Sequence, residues 1–143
     1  MDNNFKRALI LDNFENPFHK GLLNDDTYIK GYKKSKSCID NFNVELKVDG
    51  NIIKDIRYDG EACAIATSSM SISANKLIGK TIKDALNIIN NYENMIDEKE
   101  YDKELLEELN AYEDIYKQPS RKKCATLGID IIKELLEEIG DNQ

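Results

Sequence analysis

The chain has 143 residues, of which 41% are hydrophobic and 33% are charged. This length suits one domain that buries a core without disulfide bonds. The net charge of -7 argues against general nucleic-acid binding, which needs a basic face, and favours a protein partner with a basic surface. No apolar run approaches the roughly 18 residues of a membrane span, and the N-terminus lacks a signal-peptide pattern, so we expect a cytoplasmic protein.

The first half of the chain predicts one helix followed by strands. Apolar residues at helical spacing predict a helix over 5–14, which Asn16-Pro17 should end, because the residue before proline disfavours the α conformation. We expect a loop through Gly21 and Gly31, with a short strand over about 24–29. Alternating apolar residues at 44–48, the turn residues Asp49-Gly50 and a second apolar run at 53–58 predict a β-hairpin.

The second half is predicted to be helical. A helix is expected over 66–77, stopped by Gly79, and the next begins after Thr81, a good N-cap residue. Residues 95–117 are acidic and helix-prone, Pro119 breaks that segment, and a last helix is expected over 121–139, closed by Gly140. These elements predict an α+β fold, a small antiparallel sheet of about three strands with helices packed on one face, as a single domain over 1–143.

Three cysteines lie at the ends of predicted elements, where loops can converge. Cys38 precedes the hairpin, Cys63 falls between a strand and a helix, and Cys124 is expected in the first turn of the last helix. In an extended segment Cys38 and Asp40 face the same side. Three thiolates and one carboxylate would suit tetrahedral Zn²⁺. Without a Cys-x-x-Cys pair, spacing alone favours three buried free thiols over a metal site.

A thiolate at Cys124 would gain from two sources of positive charge. One is the dipole of the helix that is expected to begin just before it. The other is the basic run Arg121, Lys122 and Lys123, which directly precedes the cysteine.

The sequence around the cysteines resembles the NifU/IscU/SufU family. Residues 60–71 read GEACAIATSSMS, close to the family pattern GxxCxIxxASxS, and residues 121–127 read RKKCATL, like its third cysteine motif. Residues 16–21, NPFHKG, match the family's NPxxxG loop. The order and separation of the three motifs agree over residues 5–139.

Two features resemble the SufU branch in particular. IscU proteins carry histidine before the third cysteine, where this chain has Lys123, and SufU proteins carry a helical insertion that corresponds here to about 95–117. The resemblance implies Zn²⁺ bound by Cys38, Asp40, Cys63 and Cys124. It also implies that Cys38 accepts persulfide sulfur from a PLP-dependent, SufS-type cysteine desulfurase during iron–sulfur cluster assembly, alongside other assembly proteins.

The sequence departs from the family pattern at Ile39, which replaces a glycine between two expected ligands. A β-branched residue restricts the backbone there. Two alternatives stay open: a scaffold that builds a [2Fe–2S] cluster on the same ligands, and an interaction module that zinc only stabilises. The lone His19 could bind a metal, but a surface role such as a partner contact is favoured, and the serines of the second motif are interpreted as small helix-packing residues (Ser68, Ser69, Ser71).

Overall fold

The structure, a computed structural model, describes residues 1–36 and 39–141 of the chain. Within these ranges the backbone forms a three-stranded sheet, five α-helices and two short 3-10 segments, which confirms the predicted α+β class. No helix in the described ranges combines the length and apolar character that a membrane span needs. The elements in chain order are α1 (Asn3–Glu15), β1 (Ile29–Lys34), β2 (Asn41–Asp49), β3 (Ile52–Asp59), α2 (Ala64–Leu77), α3 (Ile82–Ile96), α4 (Lys103–Leu106), the 3-10 segments Glu107–Tyr112 and Ile115–Lys117, and α5 (Pro119–Asp141).

The sheet is fully antiparallel with strand order β1-β2-β3. The predicted hairpin is confirmed, since β2 and β3 are joined at Gly50, whose φ of 65° suits glycine in a tight turn. The predicted loop at Gly31 is wrong, because β1 begins at Ile29 and contains this glycine. A Cβ there would press on Ile131 and Leu135, so Gly31 lets α5 approach the sheet closely.

The helices cover one face of the sheet and enclose the core. α5 lies across β1 and β2, α2 lies between β3 and α5, and α3 packs on α5. Gly128 of α5 lies against Met70 of α2, which brings these two helices into close contact. The strands contribute fully buried side chains to this core, among them Phe42, Val44, Leu46, Ile53, Ile56 and Tyr58.

The helix boundaries follow the predicted capping signals at several ends. The Thr81 hydroxyl accepts a hydrogen bond from the backbone N–H of Asp84 at 3.0 Å, as expected of an N-cap. Pro119, predicted to lie outside the last helix, is its first residue, a position that proline favours since its missing N–H would have no partner. The predicted stop at Gly140 is also wrong, because α5 continues to Asp141.

The segment 95–117 does not form one helix. α3 ends at Ile96, residues 97–102 form a turn and a loop, and α4 and the two 3-10 segments follow from Lys103 onwards. Tyr112 is buried and donates to the Ser68 hydroxyl at 2.6 Å, whereas Tyr101 and Tyr116 are half-buried. Lys6 of α1 forms ion pairs of 2.7 Å with both Glu113 and Asp114, which ties this segment to the first helix.

Candidate metal centre

The backbone at Gly60 brings two distant parts of the chain together. Gly60 follows β3 with a φ of 153°, and a Cβ at this position would collide with the carbonyl oxygen of Asn41. Next to it, the backbone N–H of Asn41 donates to the Glu61 carbonyl at 2.8 Å. Because only glycine permits this close crossing, Gly60 places the segment before α2 directly over the start of β2.

Asp40 and Cys63 meet at this crossing. The Oδ1 atom of Asp40 accepts the backbone N–H of Cys63 at 2.8 Å, and its Oδ2 atom accepts the Cys63 thiol at 3.3 Å. The Asp40 side chain is buried, with 1% of the residue exposed. Asp40 therefore fixes the position of Cys63 through one oxygen and leaves the other facing the sulfur.

Cys63 is the N-cap residue of α2, and its Sγ accepts the backbone N–H of Ala66 at 3.4 Å. The positive end of a helix dipole favours a thiolate. Of the two described cysteines, Cys63 therefore has the helix-terminal position that the sequence assigned to Cys124.

Cys124 is the sixth residue of α5, so the prediction that it lies in the first turn is wrong. The cause is the start of the helix at Pro119, which places a full turn ahead of the cysteine. Burial, together with the neighbouring Asp40 and Cys63, raises the pKa of the Cys124 thiol well above its ordinary value. Burial therefore acts against the helix dipole and the basic residues that precede Cys124, and a cation in contact with the sulfur would favour its thiolate.

The candidate ligand atoms of Asp40, Cys63 and Cys124 all lie within 4.8 Å of one another. Two sulfurs bound to one tetrahedral Zn²⁺ at about 2.3 Å are roughly 3.8 Å apart, so the set fits such an ion with small side-chain adjustments. Within 1–36 and 39–141 no other group of His, Cys, Asp or Glu residues converges in this way. Cys38, the predicted fourth ligand and sulfur acceptor, lies outside the described residues.

A buried polar network binds the backbone at Ala125, the residue that follows Cys124. Ser69 and Tyr92 both donate to the Ala125 carbonyl, at 2.7 and 2.8 Å, and their own oxygens lie 3.1 Å apart. Ser68, Ser69 and Ser71 are buried, as the packing interpretation requires, and they also form hydrogen bonds to other elements: Ser68 to the first 3-10 segment, Ser69 to α5 and Ser71 to α1. Sequence reasoning missed Tyr92 and Tyr112, because periodicity gives no signal for which hydroxyls meet across a core.

His19 lies apart from the converging ligands. Its Nδ1 atom is 2.9 Å from Asp55 Oδ1, and its ring stacks on Phe18 with centroids 4.0 Å apart. It does not belong to the group formed by Asp40 and the two cysteines.

The family model and the similar proteins of known name all belong to one family. The family model of the NifU-like N terminal domain matches residues 6–138. The zinc-dependent sulfurtransferase SufU of Bacillus subtilis is 34% identical, over 95% of this chain and 92% of that protein. The iron–sulfur cluster assembly scaffold protein IscU of Thermotoga maritima is 31% identical, over 91% of each chain.

Solved structures agree with the sequence comparison. The crystal structure of FiSufU from Fervidobacterium islandicum AW-1 superposes with a TM-score of 0.79 at 30% identity, covering 90% of this chain and 93% of that one. The N-terminal part of a NifU-like protein from Brucella abortus has a TM-score of 0.85 at 19% identity, over 99% of this chain and all of that one, and shares the fold. This chain therefore belongs to the NifU-like N-terminal domain family of iron–sulfur cluster assembly proteins.

Proposed function

We propose that this protein is a zinc-dependent sulfurtransferase that accepts persulfide sulfur from a SufS-type, PLP-dependent cysteine desulfurase. The observation that carries the proposal is the convergence of Asp40, Cys63 and Cys124 within 4.8 Å. Similarity to the B. subtilis SufU over nearly the whole chain supports the same function. Lys123, in the position where the resemblance expects histidine for IscU scaffolds, supports zinc over a cluster.

The proposed roles follow from the chemistry of each side chain. Cys63, Cys124 and Asp40 hold the metal, and Cys38 is the fourth ligand and the acceptor. Zinc, when bound, supplies the positive charge that keeps buried thiols deprotonated. The Cys38 thiolate attacks the terminal sulfur of the desulfurase persulfide. The sulfur–sulfur bond of that persulfide breaks, the desulfurase cysteine leaves as a thiolate, and Cys38 carries the new persulfide.

The proposed setting is a reducing compartment, since the transfer needs free thiols. This is consistent with the cytoplasm that the sequence predicts. The chain then delivers its sulfur to other cluster assembly proteins.

A single-turnover transfer experiment tests the proposal. The desulfurase is loaded with radiolabelled cysteine, freed of substrate and mixed with the zinc-loaded chain without reductant. We expect label to move to the wild type and not to the Cys38→Ser variant. Cys63→Ser is the matched control, since it also replaces one cysteine. We expect it to lose zinc, but it keeps the proposed acceptor, Cys38. Full labelling of Cys38→Ser, or unchanged stimulation of the desulfurase by that variant, would contradict the assigned acceptor.

The alternative is a scaffold that assembles a [2Fe–2S] cluster, favoured by the 31% identity to the T. maritima IscU. Thiolates bind iron and zinc alike, so the donor atoms do not separate the two functions. A colourless protein with one zinc per chain supports sulfur transfer, whereas a brown protein with two irons supports the scaffold. An increase in desulfurase turnover on adding the chain excludes a purely structural zinc.

A further inference from the structure

Positive charge is concentrated in two segments of an otherwise acidic chain. Residues 30–39 and 117–123 together hold eight lysines and arginines and no aspartate or glutamate, although the whole chain has a net charge of -7. The remainder of the chain is therefore strongly negative. The basic residues are Lys30, Lys33, Lys34, Lys36, Lys117, Arg121, Lys122 and Lys123.

The two segments meet beside the candidate metal centre. A cavity of about 330 Å³ lies between the end of β1 and α5, and both segments line it. The wall from β1 includes Ser35, whose backbone N–H donates to the Asp40 carbonyl at 2.8 Å. The wall from α5 includes Lys123, which directly precedes Cys124. We call the basic side chains around this cavity the basic rim, which consists of Lys33, Lys34, Lys36 and Lys123.

Most lysines of the basic rim lie outside ion pairs. Lys33 pairs with Glu134 at 2.7 Å. Lys34, Lys36 and Lys123 are exposed and form no ion pair with any part of the chain that the structure describes. Three exposed ammonium groups outside ion pairs outnumber the one carboxylate that also lines the cavity, Asp130, so the local potential next to the site is positive.

An exposed apolar side chain accompanies this charge. Ile39, next to Asp40, is 74% exposed. An exposed apolar residue beside a charged rim is typical of the composition of protein–protein interfaces. Ile39 would be a contact residue in such an interface, which gives a role to the side chain that replaces the family glycine.

We infer that the basic rim docks onto an acidic surface around the persulfide-bearing cysteine of the desulfurase. This inference rests on the proposed function and identifies the chemistry of the partner's surface. It reverses the expectation from net charge, which favoured a basic partner. Since the rest of the chain is negative, an acidic partner attracts only the face that carries the metal centre, and the encounter is oriented with the site towards the donor.

Charge reversal tests the inference with a matched pair of double variants. Lys34→Glu/Lys123→Glu takes one rim lysine from each basic segment. Lys54→Glu/Lys83→Glu is the control: both residues are exposed, neither has an ion pair among the described residues, and both lie near the hairpin end of the sheet. That end is opposite the site, at the far end of the nine-residue strand β2, roughly 27 Å away. Both doubles change the net charge equally.

The measurement is the association rate constant with the cysteine desulfurase of the same genome, by stopped flow at low and high salt. Zinc content and unfolding of each variant are measured in parallel. We expect the rim double to associate about 10- to 100-fold more slowly at low salt and the control to match the wild type, with the difference shrinking as salt screens the charges beyond about 10 Å.

Each outcome decides the inference. If both doubles associate at the same rate while the wild type accepts sulfur, the docking inference fails and the proposed function stands. If the rim double loses zinc, the neutral pair Lys34→Gln/Lys123→Gln replaces it, and an association rate equal to wild type with zinc retained overturns the inference. Binding of a DNA duplex through the same lysines, with no desulfurase binding, overturns both proposals.

Discussion

The carboxylate of Asp40 accepts the backbone N–H of Cys63 at 2.8 Å, across 23 positions of the chain. The same carboxylate reaches the Cys63 sulfur through its second oxygen at 3.3 Å. Asp40 therefore has two separable roles, one in positioning the start of α2 and one as a candidate ligand. Substitutions at this residue can distinguish them.

Asp40→Asn keeps an oxygen that can accept the Cys63 N–H but removes the negative charge. We expect it to fold with stability near wild type and to bind zinc at least about tenfold more weakly. Asp40→Ala leaves the Cys63 N–H without its acceptor, so its unfolding free energy should be about 1–3 kcal/mol lower than that of Asp40→Asn. Urea unfolding of the metal-free proteins and competition with a chromophoric chelator measure the two effects. Equal unfolding free energies for both variants would contradict the positioning role.

Gly60→Ala should disrupt the crossing that brings Asp40 to Cys63, since the new methyl group would collide with the Asn41 carbonyl. We expect a loss of both stability and zinc affinity. Gly50→Ala is the control: its φ is also positive, at 65°, but nothing lies within 4 Å of the added carbon. Its expected effect is about 1 kcal/mol of strain with normal zinc affinity. The idea fails if zinc binding is equally unaffected in both.

Tyr92→Phe removes one of the two hydroxyls that bind the Ala125 carbonyl beside Cys124. We expect a loss of about 1 kcal/mol in unfolding free energy and a shift in the visible spectrum of the cobalt-substituted protein. Tyr32→Phe, at a position 56% exposed, is the control and should change neither. A purely structural Tyr92 would lower stability and leave the cobalt spectrum unchanged.

Asp130 makes stability depend on pH in an unusual direction. Burial, with Glu93 and Glu134 nearby, raises the pKa of its carboxyl from 3.8 to about 6 despite Lys33 and Lys133. Between these two values the folded state binds more protons than the unfolded state, so this residue's contribution to stability falls as pH rises. The unfolding free energy of Asp130→Asn should therefore rise relative to that of wild type between about pH 4.5 and about pH 7. A difference that stays constant with pH in urea unfolding contradicts this prediction.

Sequence patterns predicted most of the fold because the relevant signals are local. The alternation at 44–48, the turn at Gly50 and the cap at Thr81 each act within a few residues. Predictions failed where tertiary packing decides the local structure. Gly31 lies in a strand and not in a loop, and its missing side chain lets α5 pack closely on that strand. Pro119 was interpreted as a break, although the same residue type also begins helices.

The convergence of Asp40, Cys63 and Cys124 could be expected from the sequence, but the electrostatics of these residues could not. The spacing of Asp40, Cys63 and Cys124 allowed convergence without requiring it, and the family motifs made the choice. Whether Cys124 lies at a helix N-terminus depends on where α5 begins, and its burial depends on the packing of the whole core. The basic rim is visible as charge in the sequence, but its convergence beside the site needs the fold.

X-ray absorption at the zinc edge, on protein purified without added metal, tests the shared-ion claim most directly. We predict one zinc per chain with three sulfur neighbours at about 2.3 Å and one oxygen at about 2.0–2.2 Å. Cys124→Ser should leave two sulfurs or abolish binding. A shell of nitrogen and oxygen alone, or iron with an iron neighbour in place of zinc, would contradict a zinc centre built on these thiols.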